Sequence, residues 1–285
     1  MAMSATISTA WPVRTLGEQL ATLLKAAENC REKPDERHVH KLRTTSRRIE
    51  GQLLLLHELP GAPRPRHAKL PRRLLKRVRR DAGEVRDLDV QVQRLTALRL
   101  AKATTAWRQD RDRLCALLKA EREEATAKLL RTLRKESKSL KKMAKRLAEE
   151  LKPHEAFSIA PAPLGAFART WFAGRVSAMS KDAVDQNRLH GVRKAAKLAR
   201  YMTENAPKSR NPARKVAAVM EELQLAGGDW HDLLTLKQAA VERLGESSPL
   251  VATLRDRCLA SLAVYQRRLR AVLERPARSL RPSRP

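Results

Sequence analysis

Two stretches of the sequence repeat one arrangement of cations after a histidine. The first reads His40-Lys41-Leu42-Arg43-Thr44-Thr45-Ser46-Arg47-Arg48. The second reads His190-Gly191-Val192-Arg193-Lys194-Ala195-Ala196-Lys197-Leu198-Ala199-Arg200-Tyr201. Both follow His-x-x-Arg-x-x-x-basic, 150 residues apart. On a helix, positions i, i+3, i+4 and i+7 share a face. His40, Arg43 and Arg47 then form a stripe roughly 10 Å long, flanked by Arg48, at about 1.5 Å per residue. His190, Arg193, Lys194, Lys197, Arg200 and Tyr201 form one of about 16 Å by the same rise. A neighbouring segment adds Arg72, Arg73, Lys76, Arg79 and Arg80. Arg offers a bidentate fork to phosphate oxygens, and Lys a mobile point charge. Rows of this kind suit an anion that carries charge on every unit along its length. An additional basic stripe, Arg131, Arg134, Lys138, Lys141, Lys142 and Lys145, lies further along the chain.

Other chemistries have weaker support. His38 and His40 are two apart and diverge on a helix, no Cys is near them, and His-x-x-x-His is absent. No metal or other cofactor is expected. A histidine among cations has a lowered pKa unless a bound phosphate raises it again. Asp87, Asp89 and Asp232 could hold Mg²⁺, but such residues more often cap helices or pair with nearby Arg. Trp107, Trp171 and Trp230 sit at helical spacings and are expected in the core. No P-loop or nucleophile elbow occurs, so no catalytic residue is assigned.

The chain has 285 residues, with Lys+Arg 60 and Asp+Glu 31 giving a net charge of +29. That charge is concentrated. Residues 41–80 carry thirteen basic and two acidic groups, and residues 188–215 carry nine and one. These two blocks hold 19 of the 29 excess charges. Packing them costs self-repulsion, which an anionic partner would relieve. The apolar residues include 42 Leu against three Ile, and aromatics are only 3%, which argues against strands and for an all-α fold. No apolar run reaches the length of a membrane span, and no secretory signal opens the chain. The three cysteines, Cys30, Cys115 and Cys258, are far apart. A cytoplasmic protein, a monomer or a homodimer, is the expectation.

Helical spacing of Leu and the positions of Pro, Gly and capping residues divide the chain. Thr15 and Glu18 have capping-box spacing and open a helix to Arg31. A second helix runs from Asp35 to Leu59. A third runs from Leu70 to Ala82, where Gly83 ends it. Asp87 caps a fourth to Leu100. Thr104 to Leu151 lacks Pro and Gly and forms one long helix or two stacked ones. Residues 152–163 are Pro-rich and form a linker between a first half, 10–151, and a second half, 164–275. Helices follow over 164–180, 182–205 and 212–226. Gly227-Gly228 stops the last of these, and two more run over 229–244 and 249–275. The Arg/Pro-rich tail 276–285 is expected to be disordered.

A second landmark repeats as well. Gly83-Glu84-Val85-Arg86-Asp87-Leu88 matches Gly228-Asp229-Trp230-His231-Asp232-Leu233, 145 residues apart. Two landmarks in one order imply duplicated halves of four to five helices each. Together, His40-x-x-Arg43-x-x-x-Arg47-Arg48 with Arg86-Asp87-Leu88-Asp89-Val90, and His190-x-x-Arg193-x-x-x-Lys197-x-x-Arg200-Tyr201 with Gln224 and Gly228-x-x-x-Asp232, resemble the CHAD family. The resemblance covers residues 10–275. It implies two helical bundles related by a pseudo-two-fold axis, and a basic surface that binds inorganic polyphosphate without catalysis, with targeting to polyphosphate granules. The family's domain often neighbours a triphosphate-hydrolysing barrel marked by Glu-x-Glu-x-Lys. Here the nearest run, Glu121-Arg122-Glu123-Glu124-Ala125, lacks the Lys. Nucleic acid is the alternative partner, expected to bind weakly, because aromatics that could stack on bases are scarce. A polyphosphate or triphosphate hydrolase is the third reading.

Overall fold

Periodic Leu and Ala carry the chain into eight α-helices among the described residues of a computed structural model. The structure describes residues 9–66, 69–179, 185–204, 206–207, 209 and 211–274. The expected tail 276–285 and the expected helix start at Asp182 lie outside them. The helices are α1 (Pro12–Glu32), α2 (Glu36–Glu58), α3 (Lys69–Ala97), α4 (Thr105–Leu151), α5 (Pro161–Ser177), α6 (Gln186–Thr203), α7 (Pro212–Leu244) and α8 (Pro249–Glu274). A 3-10 turn over Lys152–His154 follows α4. Among the described residues the one extended pairing is an isolated bridge, in which Ala10 and Ile159 exchange backbone hydrogen bonds of 3.0 Å. The fold is all-α.

Helix starts follow side-chain caps. Asp35 accepts from the His38 N–H at 2.9 Å, Thr104 from Trp107 at 3.1 Å, and Asn211 from Arg214 at 3.0 Å. Each satisfies an orphan donor of the first turn. The capping box expected at Thr15 does not form. Pro12 starts α1 three residues earlier, because its fixed φ suits a first turn and its missing N–H costs nothing there. The stretch 104–151 is one helix of 47 residues.

Glycine stops fail twice. Gly83 lies inside α3, so the expected third and fourth helices are one, and Asp87 is no cap. Gly227-Gly228 lie inside α7, which fuses two more. A helical Gly costs only about 1 kcal/mol, and the buried stripe continues on both sides of each site. The two glycines of α7 differ in their surroundings. A Cβ at Gly227 would come within 2.8 Å of the Tyr265 ring, while one at Gly228 meets nothing within 4 Å. Gly228→Ala is therefore expected to stabilise the protein by about 0.5–1 kcal/mol. Gly227→Ala is expected to destabilise it by about 1–3 kcal/mol through overpacking. Paired chemical denaturation curves check both signs.

Around the first half, α1 packs on α2, α2 on α3, α3 on α4, and α4 back on α1. In the second half α6 packs on α5 and α7, and α7 on α5 and α8. Across the halves, α2 meets α6, α3 meets α7, and α4 meets α8. One core cluster takes in residues of both halves, including Leu42, Ile49, Leu53, Phe172, Val192 and Trp230. A smaller one, around Trp107, Leu114, Leu236 and Leu254, joins the ends of α3 and α7 to the starts of α4 and α8. Trp107 and Trp230 are core residues, and Trp171 packs partly buried against the larger cluster. The α2–α6 approach is close. A Cβ at Gly51 would fall 2.7 Å from the Tyr201 Cβ, and Gln52 Nε2 donates to the Tyr201 carbonyl at 2.6 Å.

Candidate functional site

The inner faces of α2 and α6 bury Val39, Leu42, Ile49 and Leu53, and Leu189, Val192, Ala196 and Ala199. Burying those stripes turns the cations between them to the other side of each helix. Because α2 and α6 lie against each other, the two histidine-led stripes form one positive field. Arg43, Arg47, Arg193 and Arg200 all act electrostatically on Lys197, and Arg47, Arg193 and Arg79 act on Lys194. Arg79 arrives from α3. Arg43 also reaches α3, where a Cβ at Gly83 would make an ordinary contact of 3.5 Å with its Nε.

Carboxylates hold some of these cations and leave others open. Arg43 donates to Asp87 at 3.3 Å. Glu50 receives Arg79 at 2.9 Å and lies 3.7 Å from Arg47. Arg48 forms a fork onto Glu204 at 2.9 and 3.2 Å, tying α2 to the end of α6. Arg200 lies 2.5 Å from Glu221 and 5.0 Å from the Tyr201 ring centroid. Arg193, Lys194 and Lys197 have no carboxylate within salt-bridge distance among the described residues. The Nε atoms of Arg43, Arg47, Arg193 and Arg200 are buried without a hydrogen-bond acceptor. An unmet charged donor of this kind costs free energy until an oxygen reaches it.

The crowding depresses the basic groups. Burial, then Arg193, Arg43 and Arg47, lower the Lys197 amine to about 7. Burial, then Arg79 and Arg43, lower Arg47 to about 10. His190 falls to about 4 through burial, then Lys194 and His231. Its ring stacks on His231 with centroids 4.9 Å apart and planes 27° apart. His40 is lowered by desolvation, then by Arg86 and Arg43. Both repeated histidines are therefore neutral at pH 7, as expected of imidazoles among cations. Burial would raise the Asp232 carboxyl, but the His231 ring 3.7 Å away and the charges of Arg94 and Arg193 outweigh it and hold it low.

The remaining sequence candidates scatter. Arg72, Lys76, Arg73 and Arg80 are exposed on α3. Arg72 and Lys76 continue the Arg79 face, whereas Arg73 and Arg80 lie toward its flank. Tyr201 is buried at 4% exposure in the α2–α6 seam, so its side chain is not part of the open face. The stripe Arg131, Arg134, Lys138, Lys141, Lys142 and Lys145 is exposed on α4, which packs on α1, α3 and α8 and stands apart from the α2–α6 face. Asp87, Asp89 and Asp232 sit within helices as partners of Arg43, Arg122 and Arg94, not as caps. Among the described residues no group of three or more His, Cys, Asp or Glu could hold a metal, and no helix is long and apolar enough to cross a membrane. A cavity of about 620 Å³ between α3, α4 and α7 carries Glu84, Asp87, Glu121, Glu124 and Glu242, which disfavour an anion. The cationic site is not that pocket: Arg43, Arg47, Arg79, Arg193 and Lys197 are half-buried where α2, α3 and α6 meet, and Lys194 is exposed.

Sequence reasoning missed Arg86 and His231 as members of the site. The repeated Gly-x-x-x-Asp-Leu landmark was the available signal, since both residues immediately precede its Asp. Arg86 lies beside His40, and His231 against His190. Glu50 and Glu204, the carboxylates that anchor Arg79 and Arg48, carried no signal.

Three comparisons bear on this architecture. A family model described as the CHAD domain matches residues 14–241. The crystal structure of the CHAD domain from the plant Ricinus communis is similar in fold, with a TM-score of 0.68 at 19% identity over 97% of this chain and 96% of that one. PptA from Streptomyces chartreusis is similar too, with a TM-score of 0.62 at 19% identity over 92% of this chain and 100% of that one. No curated protein matches the chain.

Proposed function

The chain belongs to the CHAD domain family, and from that premise we propose that it binds inorganic polyphosphate along the α2–α6 face without transforming it. Polyphosphate binding is the family's general role. The observation that carries the reading to these residues is the company of Arg193, Lys194 and Lys197. They lack carboxylate partners among the described residues, and Arg43, Arg47 and Arg79 crowd against them from α2 and α3. Such a row is unfavourable when empty. A linear chain of linked phosphates supplies acceptors at repeated spacing and relieves the repulsion. Arg72, Lys76 and Arg86 extend the row, while Arg48 and Arg200 stiffen it through their carboxylates. The role that follows is attachment to cytoplasmic polyphosphate granules.

The halves 10–151 and 164–275, joined through 152–163, are read as a duplication around a pseudo-two-fold axis. Arg43 faces Asp87, and Arg193 feels Asp232. Arg86 neighbours His40, and His231 neighbours His190. The equivalent helices α2 and α6, α3 and α7, and α4 and α8 touch.

Competition tests the reading. Labelled long-chain polyphosphate is titrated against duplex DNA and RNA at equal phosphate concentration and physiological salt, because salt dependence alone does not separate two polyanions. Retention of polyphosphate is the expected result. Displacement by nucleic acid transfers the site to that partner. Sustained phosphate release with Mg²⁺ or Mn²⁺ overturns the non-catalytic assignment.

A further inference from the structure

A second strongly charged surface lies on α4. Arg131, Arg134, Lys138, Lys141, Lys142 and Lys145, joined by Lys135 and Arg146, are all exposed. At 3.6 residues per turn these eight occupy a sector of about 140°, and they extend about 22 Å along the axis. Lys145 approaches Glu149 at 3.8 Å, and the other seven have no carboxylate within salt-bridge distance among the described residues. The opposite side of the helix buries Leu129, Leu133, Leu140 and Leu147.

The position of this helix matters. α2 and α4 each pack on α1 and α3, so they occupy opposite corners of the first four helices. α4 turns its cations to solvent, whereas Arg43 and Arg47 of α2 sit half-buried toward α3 and α6. The two sets of cations therefore lie on helices that α1, α3 and the core between them hold apart, and one strand cannot lie straight along both.

We propose that the outward face of α4 is a second polyphosphate-binding surface, so that one chain bridges two phosphate polymers. The inference rests on the polyphosphate reading of the α2–α6 face. The face has no aromatic side chain to stack on bases, and its long donors are all charged, which suits sequence-free contact with phosphate. Glu124 and Glu149 lie on the same line of the helix before and after the cations. They stand beyond either end of the cations and limit the length of polymer that the face can hold.

Stoichiometry tests it. A short linear oligophosphate is titrated calorimetrically at low salt into the wild type, into K138Q/K141Q/K142Q/K145Q, and into R193E/K197E. The substituted α4 residues are exposed, and unchanged helicity by circular dichroism accompanies each measurement. Two sites per chain are expected for the wild type and one for each variant. One site in the wild type, with the α4 variant indistinguishable from it, overturns the inference and leaves the α2–α6 reading standing. An α4 variant that holds no oligophosphate overturns the α2–α6 reading instead. Displacement of oligophosphate from R193E/K197E by duplex DNA at equal phosphate concentration makes α4 a nucleic-acid face and also overturns the inference.

Discussion

Reversing Arg193 and Lys197 to Glu is expected to lower the affinity of the α2–α6 face for polyphosphate between about 30-fold and 10⁴-fold. Two charge-assisted contacts of about 1–3 kcal/mol each are lost, and each 1.4 kcal/mol is about a factor of ten. The new carboxylates also oppose the ligand and neutralise the remaining guanidiniums. Folding is expected to survive, because neither side chain has a salt bridge to lose and Lys197 stands among Arg193, Arg43, Arg47 and Arg200; Arg193, which the Asp232 and Asp87 charges favour, is the costlier of the two. Reversing Arg43 and Arg47 should weaken binding comparably, with some loss of stability, since those two lie against Asp87 and Glu50. Arg48→Ala is the contrast. It breaks the fork onto Glu204 and acts mainly on the union of α2 with α6. Binding isotherms beside thermal melts separate the two classes. A variant R193E/K197E that binds as well as the wild type removes the α2–α6 face from the function.

Affinity is expected to fall steeply with rising pH above neutrality. Free Lys197 titrates near 7. Against phosphate oxygens its amine returns toward its ordinary value of about 10.4. Between those values the complex holds the proton more strongly than the free protein does, so binding takes one up. Affinity then declines by up to about tenfold per pH unit, and below 7 this group contributes no further slope. His190, free near 4, adds a second window from there toward about 6.5. Titrations between about pH 7.5 and 9.5 avoid the terminal phosphates, whose second ionisation lies near 6. Lys197→Arg keeps its charge over that range and is expected to flatten the dependence. A wild-type slope in this variant refutes the coupling. The same depression costs the empty protein stability. The cost grows as pH falls from about 10.4 toward 7 and is constant below that. Lys197→Met is therefore expected to raise the Tm of the free protein at pH 7 while weakening binding.

Much of this was legible in the residues, and the failures have physical reasons. Leu spacing and the caps Asp35, Thr104 and Asn211 located helices, because both act within a few residues. Gly83, Gly227 and Gly228 misled. A glycine ends a helix when the chain turns left-handed after it, as at Gly245 with φ 85°, and nothing in its own identity says that it will. The cation stripes followed from i, i+3, i+4 and i+7 spacing. Their convergence did not, since it depends on α2 meeting α6 across 149 residues of chain, as in the Gln52 to Tyr201 hydrogen bond. The division of the cations into anchored and open ones was also hidden. Asp87 and Glu204 lie 44 and 156 residues from Arg43 and Arg48.

At residue 51 a single hydrogen atom, in place of a side chain, sets the gauge of the track on which the two cation rows run. A Cβ at Gly51 would need the space that the Tyr201 Cβ now fills, 2.7 Å away, so any other residue works as a shim between α2 and α6. Even an alanine shim forces the two rows apart or strains the seam, at about 1–3 kcal/mol, without altering one charge on them.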